Sequence, residues 1–369
     1  MSYDLTILGA GPAGSATALA LKRLRPALRV LMVEPLRNDL WRVGETLSPG
    51  CETILKSLGG WDAFREAHFI ESFGTCSSWG SDCLAENDFI FSAGGRGWHV
   101  DRVRFEHILS EAARNAGAEV WCGGRVTASA FSGDGWQLTV SGPAGKREVE
   151  TQFVIDATGR SASFALRQGA HKIAKDRLVG VAARFDFSGD AAPIDPRTLV
   201  EAQQEGWWYS ALTPDCKMVV AWMSDADLVR QGALHMPGNW LERLQRSRLT
   251  AARVANAGFE PPLRILAAQS QILAKAYGPR WLATGDAAAT LDPLSSQGVF
   301  NALCTGKLAA FAAFDCLAGR PAAQSRYEKL IADEYERYEK TKTWFYSLEQ
   351  RWPESPFWER RRTEEQNAF

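Results

Sequence analysis

Residues 4–14 read DLTILGAGPAG, an apolar run ending at Leu8 that meets Gly9, Gly11 and Gly14 directly. Few folds accommodate that text. The first glycine permits a tight turn out of a strand, the second lets the backbone approach a pyrophosphate, and the third lets a helix lie against the sheet. Ala10, Pro12 and Ala13 fill the turn, and the helix that follows, SATALALKRL at 15–24, aims its N-terminal amides at the phosphates. A second strand, RVLMVE, ends at Glu34, 20 residues past Gly14, where a carboxylate suits a ribose hydroxyl. The spacing predicts a dinucleotide-binding βαβ unit at the head of an α/β chain.

A chain of 369 residues exceeds what one hydrophobic core usually supports, so two interlocked domains are expected. With 42 basic against 43 acidic side chains there is no field for nucleic acid or an acidic membrane surface. The seven cysteines (51, 76, 83, 122, 216, 304 and 316) form no C-x-x-C pair. Neither a disulfide framework nor a metal site is expected, and the thiols suit a reducing cytoplasm. Residues 5–21 carry no charge but lack a basic leader, so they read as mature protein. Lys307 and Asp315 interrupt the apolar stretch 302–318, which reads as short of a membrane span.

Beyond Glu34 the text predicts a helix over 50–66, short strands from Phe69 to Phe91, and a helix in RFEHILSEAARNAGAEVW. Three alternating runs between 125 and 155 predict an antiparallel meander that returns to the parallel sheet at FVIDATG. The runs VGVAARFDF, GWWYSAL and KMVVAWMS (178–226) predict a separate sheet, followed by helical text at 238–256. Helices at 298–318 and 324–350 close the chain, and the tail after Pro356 is expected to fray. The expected architecture is a Rossmann-type, glutathione-reductase-like parallel sheet (1–70, 95–165 and 265–320) interwoven with a β-rich substrate domain (71–94 and 166–264). Residues 321–369 form its C-terminal helical segment.

Two further segments narrow the dinucleotide to FAD. Asp156-Ala157-Thr158-Gly159-Arg160 places small residues after a buried strand, where the chain passes close to a cofactor. Gly285-Asp286-Ala287-Ala288 offers a carboxylate to a ribitol hydroxyl, and Asp292-Pro293-Leu294-Ser295-Ser296-Gln297-Gly298 leads into a helix. The N-terminus of that helix, with its positive dipole end, suits the flavin's pyrimidine edge, where negative charge appears on reduction.

With GAGPAG, Arg102-x-x-Phe105, DATGR and GDAAATLDPLSSQGVFNAL in this order, the chain resembles the flavoprotein monooxygenases of the para-hydroxybenzoate hydroxylase fold over nearly its whole length. The resemblance implies that Arg102 reaches the FAD diphosphate, that Val126 or its neighbour borders the adenine, and that Asp286 holds ribitol. Pro293, Gln297, Gly298 and Val299 then border the flavin, with Arg42 and Glu45 near the isoalloxazine. Glu45 and His99 are the candidate bases, and no other catalytic residue is assigned.

Within that group, GETLSPGCETILKSLG (44–59) and LDPLSSQGV (291–299) look most like the flavin-dependent halogenase branch. Those enzymes steer hypohalous acid with a lysine, and alignment on SFGTCSSWG puts Ser72 or Phe73 at its position. No lysine lies between Lys56 and Lys146, and GWWYSALTP stands where the branch has Trp-x-Trp-x-Ile-Pro. What the resemblance leaves is oxygen chemistry: reduced FAD and O2 form a C4a-hydroperoxide that hydroxylates an electron-rich ring. NAD(P)H or a partner flavin reductase supplies the electrons.

Alternate residues of GWWYSAL face opposite sides of a strand, so Trp208, or the pair Trp207 and Tyr209, would line the substrate cavity, with Trp222 in the same aromatic cluster. SSWGSD, DFIFSAGGRGWHVDRVRFE and DPLSSQG also look like flavoproteins that modify partner-protein tryptophans during biogenesis of quinone cofactors such as cysteine tryptophylquinone. That likeness implies a partner protein bearing the substrate tryptophan. The alternatives are a monooxygenase or halogenase of a small-molecule indole or phenol, an isoprenoid double-bond reductase, and a non-catalytic flavin module.

Overall fold

The computed structural model describes residues 1–36, 41–89, 94–143, 145–187 and 195–366, with side chains placed through residue 362. The central sheet has, in spatial order, strands Tyr277–Gly278, Trp281–Ala283, Gly145–Asp156, Ser2–Leu8, Val30–Glu34 and Glu119–Cys122. From Trp281–Ala283 to Glu119–Cys122 neighbouring strands are parallel. Ser2–Leu8 lies at the centre, with Leu5 to Leu8 buried on both faces of the sheet. The meander forms as expected: Trp136–Gly142 runs antiparallel both to Arg125–Phe131 and to the long strand Gly145–Asp156, which carries the chain back into the parallel sheet.

The crossover helix Pro12–Leu24 packs against the helix Gly298–Leu317. Small residues set that approach: a methyl group on Gly306 would sit 2.3 Å from the Ala13 carbonyl, and Thr17 Oγ1 donates to the Gly306 carbonyl at 2.9 Å. The helix Gly298–Leu317 is 20 residues long with a mean hydropathy of 1.2, so by length and composition alone it could cross a membrane, contrary to the reading of 302–318. Here Leu303, Ala309, Ala310 and Ala313 lie in the core.

A second, seven-stranded sheet runs Gly258–Ala267, Leu178–Asp186, Lys217–Asp225, Gly206–Leu212, Thr198–Gln203, Gly74–Ser78 and Ala85–Asp88. One face packs on Phe185, Trp208, Trp222 and Trp240, the other on Trp207, Tyr209, Met223 and the chain's C-terminal helices. Residues 188–194, inside the segment assigned to a substrate domain, and residues 90–93 of DFIFSAGG, with Phe91, lie outside the described residues.

Local differences from the expected elements have local causes. The helix expected over 50–66 is two helices, Cys51–Leu58 and Trp61–Glu66, because Gly59 takes φ +78° and ends the first. The helical text at 238–256 is likewise broken into Pro237–Gln245 and Leu249–Arg253. The tail after Pro356 does not fray through the described residues. It forms the helix Pro356–Gln366, anchored by Phe357 and Trp358 in the core and by Arg360 and Arg361 on Asp225. A run of three arginines reads as solvated until a buried carboxylate from a distant strand is known to meet it.

Candidate functional site

A cleft of about 540 Å³ opens between the two sheets where the crossover helix and the helix Gly298–Leu317 begin. Its walls include Gly11, Pro12, Ala13, Arg42, Arg102, Asp286, Pro293, Gly298 and Val299, most of the residues picked out for a dinucleotide. A second cavity of about 510 Å³, lined by Leu8, Gly9, Val33, Val126, Thr158 and Arg167, continues on the side of the first turn. Glu34 closes that turn by accepting the Ala10 N–H at 2.5 Å.

The residues fit an FAD. Neither helix that starts at the cleft has a side-chain N-cap, which leaves backbone donors and the positive end of each dipole for an anion. A methyl group added to Gly11 or Gly298 would meet no protein atom within 4 Å, whereas one on Gly9 or Gly14 would collide with backbone at 2.3 and 2.0 Å. The protein packs tightly around the outer two glycines of the motif and leaves space at the middle one. Asp286 lines the cleft, 3.9 Å from Arg160. Arg42 and Arg102 both bind Glu106, at 2.5 and 2.7 Å, and Arg102 Nη1 also donates to the Gly44 carbonyl at 3.1 Å.

Two other motif residues do not line the cleft. Gln297 is the exposed N-cap residue of its helix and does not line the cleft. Asp156 is fully buried, with Oδ1 accepting from Thr158 and Oδ2 from the Phe164 and Ala165 amides at 2.9 and 2.8 Å. It fixes the DATGR turn by holding the start of the next helix.

Above the cleft the second sheet divides the aromatic cluster. Tyr209, Met223, Leu266, Ala267 and Ala268 form the wall. Trp208 pairs across strands with Trp222, so both project from the opposite face into the core around Trp240. They leave the candidate substrate set. Trp207 shares a face with Tyr209 but is fully buried beneath the C-terminal helices, where Trp207 Nε1 donates to Tyr346 Oη at 3.1 Å. Tyr346 in turn donates to Asp292 at 2.8 Å, tying the aromatic core to the loop ahead of Gly298. Burial and the nearby Asp176 push the Asp292 carboxyl up to about 6. Met223, Leu266 and the Asp292–Tyr346 link were not legible in the sequence: the only signal was a Tyr at 346 within a helix whose charges pointed to solvent.

Thr46 begins the short strand Thr46–Leu47, which pairs with Gly97–His99, and Glu45 immediately precedes it. Tyr209 Oη donates to Glu45 Oε2 at 3.2 Å, and Glu45 Oε2 also accepts the Gly44 N–H at 3.1 Å. Thr46 Oγ1 lies 2.9 Å from Tyr209 Oη, 2.9 Å from Thr198 Oγ1 and 3.5 Å from His99 Nδ1. His99 is fully buried behind Thr46 and does not line the cleft; burial pushes its imidazole down to about 4, so it is neutral at physiological pH. Ser72 is buried with its hydroxyl on the Gly74 carbonyl, Phe73 is exposed, and no lysine is among the described residues of the cleft wall.

Burial pushes the Glu45 carboxyl from 4.5 up to about 7, against the opposing help of the Gly44 amide, Tyr209 and Arg102. Because the folded value lies above the unfolded one, the group favours folding only in its neutral form. Both states hold the proton below the unfolded value of 4.5; as pH rises from there to about 7 the unfolded chain sheds it first and stability falls, then levels off. Glu45→Gln removes that slope. Urea unfolding is expected to show the variant gaining about 2 kcal/mol on wild type between pH 5 and pH 8. Parallel pH profiles for the two proteins would contradict the assignment.

The tryptophan halogenase family model matches residues 81–368. The chain belongs to that family. It is 30% identical to the putative FAD-dependent oxidoreductase LodB of Marinomonas mediterranea, over 98% of this chain and 97% of the relative. Among solved structures it is similar to CmlS, a flavin-dependent halogenase, with a TM-score of 0.87 and 27% identity over 98% of this chain and 68% of that one. It also shares the fold of QhpG, named a peptidyl tryptophan dihydroxylase essential for tryptophylquinone cofactor biogenesis, at a TM-score of 0.73 and 24% identity over 98% and 79% of the two chains. As a member of this family the protein is an FAD-dependent oxidoreductase, and the cleft described above is where its residues fit the flavin.

Proposed function

We propose that this family member is a monooxygenase which hydroxylates an aromatic ring, the indole of a tryptophan carried by a partner protein, on the way to a quinone cofactor. The observation that carries the reading is the wall of the cleft: Tyr209, Met223, Leu266 and Ala267, with no lysine among its described residues. A halogenase needs a side chain that captures hypohalous acid. An oxygenase needs a shielded apolar surface that positions a ring, and a route for a proton. The fold shared with a tryptophan dihydroxylase supports a peptide-borne indole as the ring.

When bound, reduced FAD supplies the activation of oxygen. This chain's own residues bind its phosphates at the uncapped helix termini, hold the ring against Met223 and Leu266, and keep bulk water from it. No second Gly-x-Gly-x-x-Gly follows the first, so electrons are proposed to come from a transiently bound nicotinamide or a separate flavin reductase. Stopped-flow reduction by NADH, NADPH and a reductase distinguishes these donors.

The deciding experiment supplies reduced FAD, 18O2 and bromide with free indoles, phenols and a co-expressed tryptophan-bearing partner. Mass spectrometry is expected to show labelled oxygen on the partner's tryptophan, about 18 Da per inserted atom against about 16 Da in unlabelled oxygen, and no brominated product. Hydroxylation of free indoles or phenols alone would leave a small-molecule monooxygenase. Bromination at a comparable rate would make the protein a halogenase, and conversion without oxygen incorporation a reductase.

A further inference from the structure

We propose that Tyr209 and Glu45 form a proton outlet for the ring bound in the cleft, with Tyr209 as the residue that meets the substrate and Glu45 as the buried acceptor behind it. The inference rests on the oxygenase reading above and identifies which atoms of this chain would take the proton that aromatic hydroxylation releases.

Tyr209 and Thr46 both line the cleft, whereas Glu45 is only 1% exposed. A tyrosine hydroxyl has one proton to give. Tyr209 gives it to Glu45 Oε2, so the Thr46 hydroxyl, 2.9 Å away, is the donor to Tyr209 and Thr198 the donor to Thr46. The hydrogen bonds are thereby ordered toward Glu45. At the end of the chain, Glu45 Oε1 is buried without a hydrogen-bond partner among the described residues. A buried carboxylate in that state is costly, and taking a proton relieves the cost.

The transfer balances without any redox step. Once oxygen has been added to the ring, the C–H bond at that carbon breaks and its electron pair restores the ring's aromaticity; the proton bonds to Tyr209 Oη, and the proton already on Tyr209 passes to Glu45 Oε2. No free phenolate is required, which matters because burial and the Glu45 charge hold the Tyr209 phenol well above its ordinary range. The charged and titratable groups around the pair are few: Arg102 on the Glu45 side, Arg253 near Tyr209, and neutral His99 behind Thr46. The value of about 7 for Glu45 lets it accept a proton in the ordinary pH range and return it to solvent.

Two measurements on the FAD-loaded protein test this. The first is infrared titration of the Glu45 carboxyl stretch without substrate, assigned by its loss in Glu45→Gln. Tyr209→Phe removes a hydrogen bond to the carboxylate, so the Glu45 midpoint is expected to move upward; an unchanged midpoint overturns the pairing. The second is the pH profile of ring hydroxylation. Wild type is expected to gain activity as pH rises through about 7. Glu45→Asp should keep that limb, while Glu45→Gln and Tyr209→Phe should lose it and slow turnover by about 100-fold. A Tyr209→Phe enzyme with the wild-type profile and rate overturns the outlet and leaves the oxygenase reading standing. A wild-type protein that oxygenates no ring, with the infrared shift intact, overturns the oxygenase reading and the outlet's use together.

Discussion

Gly11→Val is expected to yield a folded protein that has lost its FAD. Gly11 takes an ordinary extended conformation, φ −68° and ψ −173°, so a side chain there strains no backbone. A methyl group at this position would meet no protein atom within 4 Å and would project into the cleft. The added volume is therefore felt only by the cofactor's phosphates and by the backbone donors at the start of the helix Pro12–Leu24. Displacing the pyrophosphate by even an ångström from those donors, with the overpacking that results, costs about 3 kcal/mol, or roughly 100-fold in affinity. FAD titration followed by flavin fluorescence measures the loss, and thermal melting without flavin is expected to match wild type. Gly14→Val is the contrasting variant: its Cβ would lie 2.0 Å from the Gly9 carbonyl, so it is expected not to fold. Wild-type FAD affinity in Gly11→Val would remove the dinucleotide path from this cleft.

The second large effect is expected far from the flavin. Asp225 ends a strand of the second sheet and is 2% exposed, with Arg361 bound at 2.9 Å and Arg360 at 2.8 Å. Arg361 is itself buried, its guanidinium 3.5 Å from the Phe357 ring centroid and 5.0 Å from that of Tyr346. Asp225→Ala leaves that cation without a countercharge in a low-dielectric setting. The expected loss is about 3–5 kcal/mol in urea unfolding, preceded by proteolytic release of the helix Pro356–Gln366. Arg360 keeps Asp227 and moderates the loss little, because it lies at the surface end of the network. Arg361→Met in the same chain is expected to restore most of the stability, since a buried pair can be replaced by apolar volume at small cost. A single variant within about 0.5 kcal/mol of wild type would show the helix to be held by its aromatic residues alone.

What could be read in advance follows from how local each signal is. A glycine pattern fixes a turn within a few residues, so the Ser2–Leu8 strand, the crossover helix and the cleft face of Gly11, Arg102, Asp286 and Gly298 were legible. The short alternating runs of the meander were legible for the same reason. The faces of the second sheet were not. Alternation in GWWYSAL states that Trp208 opposes Trp207 and Tyr209 but does not state which side meets the cleft. The register that pairs Trp208 with Trp222 decides it, and that register joins strands whose other partners are residues 198–203 and 178–186.

Glu45, Thr46, His99, Thr198 and Tyr209 come from four separated stretches, and their mutual distances are set by sheet pairing and the packing of one sheet on another. The same holds for Asp225 and the arginines more than 130 residues later. Sequence alone determined the α/β class, the flavin-type dinucleotide unit and the absence of a lysine from 57 to 145, because each depends on neighbours along the chain. Tertiary structure decided which aromatic side chain faces the cleft, which carboxylate is buried beside it, and that the basic tail is anchored, because burial and charge pairing are properties of residues brought together from far apart.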